Sequence, residues 1–122
     1  IEAEGVPYSI HRVPNEDVSW VLADAYKSEG ILVAMPTYEY KMFPPMAYVL
    51  DIFERKHVWY RKALRIGSFG WVGGAKKEYD NKIAPLKWES IESVEWAGSP
   101  DEDTLAMLYD RGRALARAVK EA

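Results

Sequence analysis

With 122 residues, 48% of them apolar and 29% charged, the chain has the size and composition of one globular domain. A net charge of −3 gives no broad electrostatic reason to bind nucleic acid or an acidic membrane, and the lack of cysteine excludes disulfides, thiolate metal sites and a thiol nucleophile. Two histidines, His11 and His57, are too few for a histidine-rich metal centre, and no apolar run nears the roughly 20 residues of a membrane-spanning helix. No signal peptide opens the sequence, so a cytoplasmic location is the expectation.

In chain order, Val6, Tyr8 and Ile10 alternate with Pro7, Ser9 and His11, the period of a half-buried strand. Pro7 removes a ladder donor, which places this strand at a sheet edge. Asn15 is the expected cap of a helix whose inward face is Val18, Val21, Leu22 and Ala25, with Gly30 ending it. Ile31, Leu32, Val33, Ala34 and Met35 are apolar without alternation, which predicts a strand buried on both faces. Pro44 and Pro45 fit the first turn of a helix with the stripe Met46, Val49, Leu50 and Phe53, closed by Arg55 and Lys56 at its negative end.

Ala63, Leu64, Arg65, Ile66 and Gly67 predict another strand, and residues 75–83 a short helix. Ile91, Val94 and Trp96 mark a weaker strand at the other edge. Ser99, Pro100 and Glu102 form a capping-box pattern for a last helix, whose stripe includes Leu105, Leu108, Gly112, Leu115 and Val119. Four strands alternating with four helices predict an α/β fold with a mostly parallel sheet. The edge-type strand nevertheless comes first and the buried-type strand second. A right-handed wind with helices on both faces needs a central strand before them, so the first β-α unit is missing from the pattern.

Two loops follow successive strands. Ser68, Phe69, Gly70, Trp71, Val72, Gly73 and Gly74 combine glycines, which let backbone N–H groups approach a ligand, with a ring for stacking. Pro36, Thr37, Tyr38, Glu39 and Tyr40 form the second loop. Loops at the C-terminal ends of neighbouring strands line a shared crevice for a flat anionic ligand. The plainer reading of the first loop is a tight strand-to-helix turn, and Trp71 also suits a core. A nucleotide-triphosphate loop is excluded, since Ala75, Lys76 and Lys77 stand where Gly-Lys-Ser/Thr is required. Lys76 and Lys77 fit a solvated helix face, His11 a solvated or edge position, and no Ser/His/Asp set or carboxylate pair suggests acid–base catalysis.

The segments from Gly30 to Tyr38, Phe43-Pro44-Pro45 and Gly67 to Ala75, in this order and spacing, resemble the flavodoxin-like domain of the A-type flavoproteins, or flavodiiron proteins. The resemblance implies a three-layer α-β-α domain over residues 1–122, the C-terminal portion of a larger flavoprotein. It implies FMN above the strand ends, with Pro36, Thr37, Tyr38 and Glu39 on one side of the isoalloxazine. Ser68, Phe69, Gly70, Trp71, Gly73 and Gly74 would form the other wall. Implied partners are a di-iron metallo-β-lactamase-like domain on the same or a neighbouring subunit, and a rubredoxin, deazaflavin or NAD(P)H-linked donor.

The family's first strand and its phosphate loop have no counterpart here. Two other readings therefore stay open: a flavin-free binding or assembly module, and a stand-alone flavin-dependent quinone reductase. Unpaired strand edges predict a homodimer, strand exchange, or direct pairing of residues 6–10 with residues 31–35.

Overall fold

The computed structural model describes residues 1–38, 40–70 and 74–122, the side chain of Tyr38 apart. Among these residues four α-helices form: α1 (Val18–Lys27), α2 (Pro44–Arg55), α3 (Ala75–Ile83) and α4 (Glu102–Lys120). The main sheet is built on β4 (Lys62–Phe69), which pairs along one edge with β1 (Gly30–Ala34). Its other edge pairs with two short strands in succession, β5 (Glu89–Ser90) and β6 (Val94–Ala97). Every pair in this sheet is parallel, as the alternation of strands and helices predicts. A separate two-stranded hairpin joins β2 (Thr37–Tyr38) to β3 (Lys41–Met42).

β4 is the spine because both faces of its apolar run are covered. Ala63 faces the α1–α3 side with Val33, Leu50, Phe53, Tyr79 and Leu86, all buried. Burial of a side chain such as Leu50 or Phe53 contributes about 1.5–3 kcal/mol. On the opposite face Leu64 and Val94 are buried under α4, whose Leu115 and Ala116 are buried in turn. The α-β-α layering follows from that two-sided burial.

Several local expectations are corrected. Residues 6–10 form no strand: Tyr8 is 55% and Ile10 73% exposed, and β1 pairs with β4 alone among the described residues. Direct pairing of these two segments is therefore not how the edge is closed. Alternation alone cannot make a strand that has no backbone partner. β1 is not buried on both faces either, since Leu32 is 38% exposed where its outer edge lacks a neighbour.

The cap of α1 is Asp17 rather than Asn15, its carboxylate accepting from the Ser19 N–H at 2.8 Å. That helix ends at Lys27, and Gly30 instead opens β1, where a Cβ would lie 2.5 Å from Val119 of α4. The cap of α4 is Asp101 rather than Ser99, accepting from the Thr104 N–H at 2.8 Å. An aspartate in each case reaches a free N–H of the first turn, and this lowers both carboxyl pKa values. α2 and α3 begin and end where their prolines, stripes and charges predict.

Candidate functional site

Because β1 and β4 run parallel, the loops that follow them leave the same end of the sheet. β1 continues through Met35 and Pro36 into the hairpin, and β4 continues through Phe69 into Gly70. Two glycines bring these paths into contact. A Cβ on Gly67 would sit 1.9 Å from the Met35 carbonyl oxygen, and one on Gly74 would sit 1.9 Å from that of Tyr40. Neither glycine has a positive φ, so the requirement at both is close backbone approach.

The predicted site residues thus gather at one place where they are described. Pro36 is exposed and Thr37, half-buried, opposes Met42 in the hairpin. Ser68 and Phe69 are half-buried at the end of β4, opposite Trp96 and Ala97 of β6, and the Phe69 carbonyl accepts from the Gly98 N–H at 2.9 Å. Gly70 is exposed, with no atom of the described residues within 4 Å of the position a Cβ would take. Its backbone is open to a ligand plane. Gly74 stands just before α3 and touches the hairpin. Glu39, Trp71, Gly73 and the side chain of Tyr38 lie outside the described residues.

Beneath this end of the sheet is an ionic pair that sequence reasoning missed. Arg65, 1% exposed, places Nη2 2.8 Å from Glu95 Oε2. The approach is off-line for a hydrogen bond, so Arg65 Nε and Nη2 and Glu95 Oε2 have no hydrogen-bond partner among the described residues. The buried Tyr79 hydroxyl also lacks one, and burial raises its pKa well above the phenol range, with Arg65 opposing. Arginine within the apolar run Ala63-Leu64-Arg65-Ile66 was the available signal, since such a charge is seldom buried unless paired.

His11, expected in a solvated or edge position, lies half-buried and is clasped between carboxylates. Its Nε2 is 2.7 Å from Asp24 Oδ2 and its Nδ1 3.1 Å from Glu16 Oε1. Asp24 chiefly, helped by Glu16, raises the imidazole pKa against a smaller opposing effect of burial. Lys76 meets its expectation as a helix-face lysine, paired with Asp80 at 2.6 Å.

A cavity of about 580 Å³ lies away from the two loops, along the outer edge of β1. Among the described residues no three metal-ligating side chains cluster, and no helix is long and apolar enough to cross a membrane.

No protein-family model matches the chain. It is 29% identical over 113 residues to a protein of Aeromonas salmonicida named anaerobic nitric oxide reductase flavorubredoxin, a match covering 93% of this chain and 22% of that one. The chain therefore spans about a fifth of the length of the curated relatives it matches. Among solved structures, the rubredoxin oxygen:oxidoreductase of Desulfovibrio gigas superposes with a TM-score of 0.93 at 19% identity, over 98% of this chain and 30% of that one. A flavodoxin from the domain Archaea superposes with a TM-score of 0.84 at 21% identity, over 98% and 82%. The fold is flavodoxin-like.

Proposed function

We propose that this chain, a flavodoxin-like FMN domain of the flavodiiron protein family, binds its FMN without a covalent link between residues 36–40 and residues 68–74, and relays electrons within a larger oxidoreductase. The observation that carries the site is the double glycine contact, Gly67 on Met35 and Gly74 on Tyr40, which holds the two loops as one rim at the strand ends. The residues present fit a flat ring: Gly70 offers unobstructed backbone, Pro36 an exposed apolar edge, and Thr37 and Ser68 half-buried hydroxyls.

FMN, when bound, supplies the capacity to take and release electrons singly or in pairs. The chain's own residues bind and orient. Thr37 and Ser68 can hydrogen-bond the polar edge of a ring, and Phe69 and Pro36 limit water at its apolar edge. The resemblance assigns Glu39 to the ring's surroundings, and a negative charge there would disfavour added electrons and lower the potential. Electrons would come from a rubredoxin-type donor, with a deazaflavin or NAD(P)H-linked reductase as other sources. They would leave for a di-iron domain of the full-length protein that reduces oxygen or nitric oxide, on the same or a neighbouring subunit. The flavin-free module and the stand-alone quinone reductase are less well supported, because the matched sequences are flavorubredoxins.

The test is titration of the purified chain with FMN, followed by flavin fluorescence. Saturable one-to-one quenching is expected. No quenching up to about 0.1 mM FMN would overturn the assignment.

A further inference from the structure

The run from Arg55 to Lys62 holds Arg55, Lys56, Arg61 and Lys62, four of the chain's sixteen basic residues, and no carboxylate, in a protein of net charge −3. It joins the C-terminal end of α2 to the start of β4. β4 is eight residues long, so at about 3.3 Å per residue this turn lies about 25 Å from the rim, at the opposite end of the sheet. The turn is firmly held. Val58 is fully buried and its carbonyl accepts from Trp88 Nε1–H at 2.8 Å, while Tyr60 N–H donates to the Leu86 carbonyl at 3.0 Å. Arg61 Nη1 donates to the Trp59 carbonyl at 2.6 Å.

On this fixed backbone the aromatic side chains face solvent. Trp59 is 40% and Tyr60 65% exposed. His57 stacks on Trp59 with ring centroids 4.5 Å apart, and the Tyr60 ring stands at 85° to that of Trp59, 6.4 Å away. Lys87 Nζ lies 6.0 Å over the Tyr60 ring. His57, Tyr60 and Lys87 take φ values of 60°, 59° and 56° although none is glycine, and backbone of this kind clusters at ligand clamps. Of the Lys and Arg side chains at this pole, only that of Lys62 has a carboxylate partner, Glu89, among the described residues. Arg55, Lys56 and Lys87 are exposed and available.

We propose that this pole docks an extended, acidic, proline-bearing segment of a partner protein. Two rings meeting at a right angle leave a notch that seats a pyrrolidine ring, as aromatic-lined grooves do for proline-rich segments. Arg55, Lys56 and Lys87 answer the carboxylates beside that proline. Trp, Tyr and Arg are the residues that anchor interfaces, and a turn already fixed adds little ordering cost on binding. Nucleic acid fits this pole less well. Successive bases need open ring faces in a row, whereas His57 covers one face of Trp59 and Lys87 sits over Tyr60. The net charge of −3 also opposes a polyanion that extends beyond the patch. Docking here does not depend on the flavin, and it leaves the rim free.

The test is fluorescence anisotropy of a labelled synthetic peptide of alternating Glu and Pro, titrated with the whole chain at low salt. Saturable one-to-one binding with Kd below about 1 mM is expected, weakened about fivefold by physiological salt. Trp59→Ala, and separately the double reversal Arg55→Glu with Lys56→Glu, should each weaken it about tenfold; all three positions are exposed. Trp20→Ala, at a 70% exposed position on α1, should leave binding unchanged, as should saturating FMN. No binding up to about 1 mM, or full binding by either pole variant, would overturn the proposal. Equal binding of a Gln-Pro peptide would also overturn it, because charge would then play no part. So would tighter binding of a thymidine oligonucleotide, which would assign the pole to nucleic acid. Loss of peptide binding as the chain self-associates would assign it to a second copy, and competition by FMN would place the peptide at the rim; either result overturns it.

Discussion

Gly74→Ala is the sharpest probe of how the two loops are joined. The added Cβ would fall 1.9 Å from the Tyr40 carbonyl oxygen and 2.6 Å from its carbon, where contacts under 3.0 Å essentially never occur. Both atoms are backbone, so no side chain can swing away. The hairpin must retreat from the start of α3 by more than about 1 Å. Overpacking of this kind costs about 1–3 kcal/mol.

The expectation is a loss of about 1–3 kcal/mol, or roughly 4–12 °C in Tm by scanning calorimetry. The same retreat separates residues 37–40 from residues 68–70. If residual misfit at the rim costs about 1.4 kcal/mol of binding, FMN affinity in the fluorescence titration falls about tenfold. An alanine variant with unchanged Tm and unchanged FMN affinity would refute the claim that this contact sets the rim.

Gly70→Ala separates binding from folding: with no atom of the described residues within 4 Å of the new Cβ, denaturant unfolding should shift by no more than about 0.5 kcal/mol, while FMN affinity drops because the methyl group stands between backbone and ring. Glu95→Ala leaves the Arg65 charge buried and unpaired, for which a loss of about 3–5 kcal/mol is typical; the lower end is expected because the Glu95 side chain is 24% exposed. The double replacement Arg65→Met with Glu95→Leu should recover most of that in urea melts, and failure to recover would mean that the pair does more than neutralise itself. Stability should be greatest between about pH 4.5 and 6.5, as read by thermal melts across pH. The raised His11 pKa makes its contribution complete below the ordinary value of 6.5 and lost as pH climbs through the higher folded value. Conversely, Glu4, lowered to about 2 by Arg113, Lys120 and Arg117, and Asp24, lowered by His11 and Ser9, lose theirs as pH falls below 4.5 and 3.8 towards their folded values. His11→Gln should flatten the alkaline limb, and identical curves for variant and parent would remove His11 from the account.

Local chemistry was enough to place the four helices and the run of β4, though Thr37–Tyr38 and Ser68–Phe69, read as loop, lie in β2 and β4. The stripe Met46, Val49, Leu50 and Phe53 needs only helical spacing to declare an inward face, and Pro44 needs only its own ring to start a helix. Caps were harder, because Asn15 and Asp17 are both good candidates and the choice depends on which side chain meets the Ser19 N–H. The loop glycines announced close approach to a ligand, but not that Gly74 meets the Tyr40 backbone or that Gly67 meets that of Met35.

Whatever needed a partner distant in sequence was decided by the tertiary structure. Residues 6–10 have the alternation of a strand, yet a strand exists only where a second backbone supplies the hydrogen bonds, and none among the described residues does so. Burial of β1 depends likewise on a neighbour beyond its outer edge. Arg65 meets Glu95, and His11 meets Asp24, across 30 and 13 positions of sequence. Composition and periodicity report each residue's own preference. Packing decides which preferences are met together.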